Sequence, residues 1–368
     1  MSITSNQPVK KRVSGVILID KPQGLTSQQV VSKVKYLFKS PHHDSKKAGH
    51  TGTLDPMATG LLPVCLGEAT KFSHYQLEAN KSYEAIIQLG GQTDTGDAEG
   101  QVIRSATVPT VTEADLLRVT QQFLGQQLQI PPMYSALKKD GKKLYEYARE
   151  GIEIDRSARP INIRQLQLIL MTNDTLKLTV TCSKGTYVRV IGEDIAQALG
   201  TLGYLTSLRR SRVGEFYLED AISLESLENM SLEQRFSHLL PVDACINHIP
   251  TLVLNDDQWQ RVLVGQRLNV FNQISPQVLA YLNDQDSSLM VTNSSEDNVL
   301  EEYVSGTNRG DDQPNSSRML VSVYQDNQSQ DKEVTKDIRL ISEKGVFIGL
   351  AELGLSGRLQ PKKILPVN

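Results

Sequence analysis

The sequence predicts an α+β protein, in which a mixed, largely antiparallel central sheet with flanking helices is followed by a small β-rich domain. Two patterns favour this fold class. Apolar runs of strand character recur between residues 14 and 215 without the regular strand–helix alternation that is typical of parallel α/β sheets. Short apolar runs separated by glycines then occupy residues 338–366 and predict a second, smaller set of strands.

The first predicted elements are a strand, a turn and a helix. An apolar run is followed by a turn at Pro22–Gly24, after which Thr26 or Ser27 can cap a helix. That helix has apolar residues at helical spacing and lysines on its other face. Further elements follow in order: strands broken by turns over 60–73 and 82–100, a capped helix over 112–124, and strands leading into a helix over 161–200.

Length and composition indicate two domains. A chain of 368 residues is long enough for both, and the stretch 241–250 reads as a boundary. We therefore expect a first domain over residues 1–245 and a second over 246–368. Residues 284–337 hold four Lys/Arg against twelve Asp/Glu, with few aromatics, and predict a disordered acidic insertion in the second domain.

The charge is distributed unevenly along the chain. The formal net charge of −3 argues at first sight against a polyanionic partner. Residues 1–80, however, carry ten Lys/Arg against five Asp/Glu, a balance of +5. Because the average mixes this basic front end with the acidic segment, it does not exclude nucleic acid.

Several protein classes are excluded by simple patterns. No apolar run approaches the roughly 18 residues of a membrane span, and the first fifteen residues lack the apolar core of a secretory signal. Cys65, Cys182 and Cys245 are odd in number and far apart, which excludes a disulfide framework and a CxxC metal site. We expect a cytoplasmic protein without membrane contact.

The segment KKAGHTGTLDPMATG, residues 46–60, places Asp55 at the centre of a glycine-rich loop. An ordinary surface turn is the simplest interpretation. A phosphate-binding loop lacks the Gly-Lys-Ser/Thr ending that it needs. His50 could bind a metal, but His42 and His43 do not have ligand spacing relative to it.

The loop is one of several motifs that together resemble the TruB-type tRNA pseudouridine synthases. The motifs, in order along residues 14–215, are VILIDKPQGLTS, GHTGTLDPMATGLLPVCLGEATKF, KSYEAIIQLGGQTDTGDAEG, IPPMYSALKKDGKKLYEYAREGIE, CSKGTYVRVIGEDI and LTSLRRSRVG. Residues 345–366 resemble, more weakly, the closing strands of a PUA-type RNA-binding domain. The stretch LGYLTSLRR departs from the family, since Tyr204 stands where histidine is frequent.

The resemblance implies a pseudouridine synthase fold and an enzyme that isomerises the T-loop uridine of tRNA, at tRNA position 55, to pseudouridine. This reaction breaks the C1′–N1 glycosidic bond, turns the uracil and rejoins it through C5. It needs a positioned carboxylate, and Asp55 is the candidate, acting on C1′, on uracil C6 or as a base at C2′. The resemblance implies that Arg189 holds this carboxylate ionised.

Other site residues follow from the same resemblance, because the target base must be flipped out of its stack. The family assigns ring stacking, with a catalytic part, to Tyr83, substrate contact to Tyr187 and Leu208, and a space-filling wedge to His50. Asp97 belongs either to the polar network around Asp55 or to a turn. Lys21 contacts either phosphate or solvent.

Residues 131–160 resemble the family's thumb-like RNA-gripping insert. Seven cations lie between 138 and 159, with acidic residues interleaved, so a solvated face is the alternative to RNA-backbone contact. The expected partner is the T-arm of tRNA, bound by a monomer without metal, nucleotide or other cofactor. The alternatives are a tRNA-binding or tRNA-folding module with little or no catalysis and, more distantly, a uridine glycosidase.

Overall fold

The computed structural model describes residues 10–284 and 334–366. The chain divides into two compact units, Met1–His248 and Ile249–Asn368. Most of the expected acidic insertion, residues 285–333, lies outside the described residues.

Short strands and helices alternate irregularly in the first unit. Its strands are β1 Lys11–Arg12, β2 Gly15–Lys21, β3 His43–Asp44, β4 Ala48–His50, β5 Thr59–Leu66, β6 Lys81–Leu89, β7 Gly91–Thr93, β8 Val102–Ser105, β9 Gly125–Gln129, β10 Lys138–Lys139, β11 Lys142–Lys143, β12 Arg159–Thr172, β13 Thr175–Cys182, β14 Gly203–Val213, β15 Phe216–Tyr217 and β16 Ile222–Ser223. Its α-helices are α1 Ser27–Leu37, α2 Ser73–Glu78, α3 Glu113–Phe123, α4 Leu144–Arg149, α5 Val188–Ala198, α6 Leu224–Asn229 and α7 Leu232–Ser237.

A ten-stranded sheet, counted over the described residues, forms the centre of this unit. Its order is β16-β2-β5-β14-β6-β13-β12-β9, with β4 beside β5 and β15 beside β14. The pairs β5–β14 and β16–β2 are parallel, and the other neighbours are antiparallel. The predicted α+β class with a mixed, largely antiparallel sheet is confirmed.

Helix α1 shows how the sequence sets the local structure. Thr26 is its N-cap, and a reciprocal capping box joins Thr26 to Gln29. Val30, Val34 and Leu37 recur at helical spacing and are buried in the main core. The same arrangement, with Thr112 as the cap, begins α3. Both predicted helix starts are confirmed.

The expectation of strands throughout residues 60–73 is wrong beyond Leu66. Gly67 has a φ of +54°, and the chain then turns through a 3₁₀ helix, Gly67–Lys71, into α2. Ala69 and Phe72 are fully buried, and their spacing of three residues fits a helical turn rather than a strand. The left-handed glycine and this spacing together end the strand.

The second unit is built on a five-stranded sheet of order β17-β19-β20-β21-β18, within the ranges the structure describes. The strands are β17 Thr251–Leu254, β18 Leu268–Asn269, β19 Thr335–Ser342, β20 Phe347–Gly354 and β21 Arg358–Ile364, with helices α8 Asp256–Leu263 and α9 Pro276–Asn283. The predicted small β-rich second part, PUA-like in its sheet, is confirmed.

The predicted insertion extends too far at its C-terminal end, because residues 335–337 begin β19. The charged pair Lys336 and Asp337 is buried there. The Lys336 ammonium donates to the carbonyls of Tyr281 and Asp284, and Asp337 pairs with Lys362 at 3.1 Å. These partners compensate the charges that composition alone assigned to solvent.

No helix in residues 10–284 or 334–366 combines the length and the apolar character needed to cross a membrane.

Candidate active site

The glycine-rich loop between β4 and β5 is held in place at the start of α1. The Ser27 hydroxyl accepts a hydrogen bond from the Leu54 N–H at 2.7 Å and donates to the Leu54 carbonyl at 3.0 Å. Both residues are buried. On the far side of Asp55, the Pro56 carbonyl accepts from the Gly24 N–H at 2.8 Å. Asp55 therefore lies between two anchored residues, and its side chain is 39% exposed.

A second anchor comes from Arg210 on β14. Its guanidinium is buried and donates to the carbonyls of Leu61 at 2.8 Å, Gly52 at 3.1 Å and Thr53 at 3.4 Å. The loop exit approaches the same strand so closely that a Cβ on Gly60 would lie 2.3 Å from the Arg210 carbonyl oxygen. Arg210 thus holds both ends of the loop that carries Asp55.

Arg210 was not among the residues predicted from the sequence, although a signal was present. Consecutive residues of a strand face opposite sides of a sheet, so one of the adjacent Arg209 and Arg210 must face the core. A buried guanidinium requires carbonyl or carboxylate partners. The pair of arginines in LRR therefore indicated that one of them would bind other parts of the fold.

Arg189 bridges two carboxylates at the centre of the site. Its guanidinium lies 2.9 Å from Asp55 Oδ2 and 3.6 Å from Asp97 Oδ2. The Arg189 and Asp97 side chains are only 5% and 6% exposed, so this part of the network is shielded from water. Asp97 combines the two alternatives expected for it, the polar network and the turn. It contacts Arg189, and its Oδ1 also accepts from Thr95 Oγ1 and from the Glu99 N–H within the turn.

Further hydrogen bonds fix the orientation of Arg189. It lies in the first turn of α5, and its two terminal nitrogens donate to the carbonyls of Thr95 at 2.5 Å and Tyr134 at 2.7 Å. Together with the contact to Asp97, these bonds hold the planar guanidinium from two chain segments other than the Asp55 loop. Asp55 consequently meets a cation whose position does not depend on Asp55 itself.

Tyr83 and His50 are both influenced by the charge of Arg210. Tyr83, in β6, is buried, and its hydroxyl is hydrogen-bonded to Arg210; burial raises the pKa of this phenol, against the opposing effect of the Arg210 cation. Burial first, and then the Arg210 charge, lowers the pKa of His50. The His50 Nδ1 accepts from the Gly52 N–H at 3.3 Å, so the neutral ring carries its proton on Nε2.

Tyr187 and Leu208 complete the predicted set. Tyr187 immediately precedes α5, where its backbone exchanges two hydrogen bonds with the Gln129 side chain. Burial raises the pKa of Tyr187, and the Asp55 carboxylate adds to that rise, which places the two groups in one electrostatic environment. Leu208 is buried in β14 in the same apolar cluster as Tyr83.

Lys21 does not occupy either of the positions expected for it. Its side chain is fully buried, and its ammonium donates to the carbonyls of Leu25 at 2.6 Å, Pro22 at 2.9 Å and Pro56 at 3.3 Å. Both phosphate contact and solvent exposure are therefore wrong for this state. Burial lowers the Lys21 pKa to about 8, although the nearby Asp55 opposes the shift. Lys21 therefore supports the Asp55 loop through its hydrogen bond to the Pro56 carbonyl and does not face a ligand.

A further carboxylate, Glu99, was missed by the sequence analysis. It is exposed, and its pKa is raised by desolvation, by Asp97 and by Asp55. The TDTGDAEG turn therefore brings two acidic groups, Asp97 and Glu99, close to Asp55.

The expected RNA-gripping insert consists of the hairpin β10–β11 and the short helix α4. Its turn, Asp140–Gly141, has positive φ at both residues, as two-residue hairpins require. Some of its cations interact within the insert: Lys142 pairs with Glu150 and lies 4.6 Å from the Tyr147 ring centroid. Others, such as Lys138, are exposed. The segment therefore presents cations to solvent while part of its charge is neutralised internally.

The described part of the chain contains no group of three or more His, Cys, Asp and Glu side chains with an arrangement that could hold a metal ion.

Two family profiles and several named relatives match this chain. The family profile described as TruB family pseudouridylate synthase (N terminal domain) matches residues 40–188, and that of the tRNA pseudouridylate synthase B C-terminal domain matches residues 189–247. Two relatives are named tRNA pseudouridine synthase B. The one from Psychrobacter cryohalolentis is 58% identical over 98% of this chain and 96% of the relative. The one from Psychrobacter arcticus is 56% identical over 98% of this chain and 97% of the relative.

Among solved structures, a Cbf5-Nop10-Gar1 complex matches with a TM-score of 0.59 at 20% identity, covering 96% of this chain and 85% of the matched chain. An H/ACA RNP bound to a substrate RNA containing 2'-deoxyuridine matches with a TM-score of 0.58, also at 20% identity, over 96% and 85%. At this identity the likeness concerns the fold, which is that of the pseudouridine synthases. Together, the profile matches and the identity to near full-length relatives show that this chain belongs to the TruB family of pseudouridylate synthases.

Proposed function

We propose that this protein isomerises uridine to pseudouridine at position 55 in the T-loop of tRNA, with Asp55 as the catalytic carboxylate. Family membership carries the reaction class, because the chain is a pseudouridylate synthase related to enzymes named for tRNA. The observation that carries the residue assignment is the geometry of Asp55, a partly exposed carboxylate 2.9 Å from a guanidinium fixed by other groups.

The reaction requires that one bond breaks and another forms without loss of the base. The C1′–N1 bond breaks, C1′ bonds to C5, the C5 proton leaves to solvent and N1 gains a proton. A carboxylate beside the ribose serves each of the candidate routes, through C1′, through C6 or through C2′. Arg189 keeps a positive charge next to Asp55 throughout.

The remaining predicted residues bind and hold the flipped base in this proposal. Flipping costs a few kcal/mol, which apolar and aromatic contacts must offset. Tyr83 and Leu208 supply apolar surface from neighbouring strands of the sheet, and Tyr187 contacts the base from the start of α5. His50, neutral and oriented by its bond to Gly52, fills the space next to the base.

The RNA itself is expected to be held by its T-arm, with the hairpin and helix of residues 131–160 contacting the backbone. This segment offers exposed cations and partly exposed tyrosines, which suit a phosphate backbone. We further propose that the protein acts as a monomer in the cytoplasm.

Replacement of Asp55 by Asn tests the assignment. The amide keeps the shape of the side chain but cannot act as a nucleophile or base, so we expect tRNA affinity near that of wild type and no detectable pseudouridine. Unmodified tRNA transcript is incubated with each protein, pseudouridine is mapped by chemical probing, and free uracil is measured in the same samples.

Asp20→Asn is the matched control, since Asp20 is also a half-buried carboxylate paired with an arginine, Arg209, at 2.7 Å. It should retain activity. If Asp55→Asn makes pseudouridine within about tenfold of the wild-type rate, equivalent to ~1.4 kcal/mol in the barrier, the role of Asp55 is refuted. Release of uracil without pseudouridine would identify a glycosidase, and tRNA binding without either product would identify a binding module.

A further inference from the structure

A basic groove lies at the C-terminal end of α1. It has a volume of about 760 Å³ and is lined by, among others, Lys10, Lys33, Tyr36, Lys39, Glu228 and Arg235. The N-terminal segment is brought to this end of the helix by the parallel pairing of β1 with β3 and by a hydrogen bond from Lys10 Nζ to the Ser40 carbonyl. Residues distant in sequence therefore form one concave surface, which we call the α1 groove.

The positive charge of the α1 groove exceeds its negative charge. Of its four cations, Lys33 pairs with Glu228, and Arg235 donates to three backbone carbonyls that carry no full charge. Lys10 and Lys39 are exposed, and neither has an acidic partner within the described ranges. The groove therefore carries a net positive charge although the whole chain carries a net charge of −3, and it forms part of the basic N-terminal region.

The α1 groove is separate from the candidate active site. The Asp55 loop is bound at Ser27, the first residue of α1, whereas the groove begins near Lys33 and extends beyond Leu37. Along the helix axis, Lys33 lies about 9 Å and Leu37 about 15 Å from Ser27. A ligand in the groove would not touch Asp55.

The composition of the groove suits a phosphodiester backbone. Lysine ammonium groups bind phosphate as mobile point charges and release its counterions. The Tyr36 side chain, with the residue 73% exposed, adds a hydroxyl that can donate to a phosphate oxygen. Lys46 and Lys47 are also exposed and lie between the groove and β4, which leads to His50 at the site. Along the chain, exposed cations therefore link the groove to the strand that leads into the active site.

We propose that the α1 groove binds the phosphate backbone of the tRNA substrate outside the T-arm. This inference rests on the proposed function, since it takes tRNA as the substrate. The groove adds affinity for full-length tRNA through contacts that a separate T-arm stem–loop cannot reach, and it leaves the chemistry at Asp55 unaffected.

The double variant Lys10→Ala/Lys39→Ala tests the groove. Its affinity is measured by fluorescence anisotropy between 50 and 200 mM salt, with full-length tRNA and with an isolated T-arm stem–loop. In both RNAs the target uridine is replaced by cytidine, so that no turnover occurs. For full-length tRNA we expect Kd to rise about tenfold at 100 mM salt, and the slope of log K against log salt to fall by about 1.5. For the stem–loop we expect Kd to stay within twofold of wild type.

Arg164→Ala/Lys177→Ala is the matched control, because it removes the same charge from strands β12 and β13, outside the groove. The proposal is overturned if the groove variant binds full-length tRNA as tightly as wild type, if it loses the stem–loop equally, or if the control loses full-length tRNA to the same extent. Pseudouridine formation by the wild-type protein on unsubstituted tRNA is measured in parallel. Its absence would refute the proposed function, whereas an active wild type with an unaffected groove variant refutes the groove alone.

Discussion

Arg210→Met is expected to displace the Asp55 loop and to impair the reaction far more than RNA binding. The substitution removes the donors to the carbonyls of Gly52, Thr53 and Leu61 and to the Tyr83 hydroxyl. An orphaned buried acceptor costs about 1–3 kcal/mol, and water that enters the loop recovers part of this. We therefore expect a loss of ~3–5 kcal/mol in the free energy of unfolding, which leaves a domain of ordinary stability folded.

The rate should fall because the loop sets the position of the carboxylate. A displacement of about 1 Å at a reacting group costs on the order of 100-fold. The measurement is single-turnover release of tritium from tRNA labelled at uridine C5, since the C5 hydrogen leaves when the new bond forms. We expect a rate at least ~100-fold below wild type, with the Kd for tRNA changed only a few-fold.

The neighbouring residue provides the control. Arg209 is partly exposed, and its two terminal guanidinium nitrogens donate to the two carboxylate oxygens of Asp20, at 2.7 and 3.2 Å. Arg209→Met should cost about 1 kcal/mol or less, and it should leave the single-turnover rate within threefold of wild type. Arg210→Lys, which retains the charge but not the fork of donors, should lie between Arg210→Met and wild type. A folded Arg210→Met protein with a rate within threefold of wild type would show that the loop keeps its position without this clamp.

Three further outcomes are expected. We expect the stability advantage of wild type over Lys21→Met, measured as the difference in free energy of unfolding by urea titration, to increase from pH 8 to pH 10.5. Lys21 has a pKa of about 8 in the folded protein and so releases its proton before the unfolded chain does. A difference that does not change with pH would contradict this. Activity should survive EDTA without added nucleotide or nicotinamide, because the isomerisation involves no net redox change and consumes no phosphate bond; loss that one divalent ion restores at the protein, rather than through tRNA folding, would refute it. Replacing residues 285–333 by a short linker should leave the rate on T-arm RNA unchanged and the affinity for full tRNA equal or tighter at low salt, because the removed segment is acidic. The ends of the deletion lie close to each other, since Lys336 contacts the Asp284 carbonyl. Weaker tRNA binding would show that the segment contributes to binding.

The fold class could be predicted from the sequence because its signals are local. Alternating apolar runs mark strands, and Thr26 and Thr112 lie where capping requires them. The error after Leu66 arose because residues 67–73, GEATKFS, contain only two apolar residues, Ala69 and Phe72, which is too few to reveal the change from a strand to a helical turn. A pattern based on apolar content alone does not detect that change.

The candidate site was predicted through motif resemblance, and its geometry was not. Asp55, Asp97 and Arg189 come from three distant motifs, and nothing in their spacing indicates that the guanidinium lies between the two carboxylates. Lys21 shows the limit most clearly. Its partners are backbone carbonyls, which every residue has, so no sequence pattern distinguishes this buried lysine from an exposed one.

The pairing of β5 with β14 has a consequence for the order of folding. The residues that Arg210 joins are separated from it by 149 to 158 positions in the chain. Contacts of such separation form late, because a long loop must close before they contribute. During synthesis the Asp55 loop therefore waits for most of the first unit to emerge before it can be clamped. We expect chains truncated before β14 to contain helix α1 and the β2–β5 ladder, and to have no competent site.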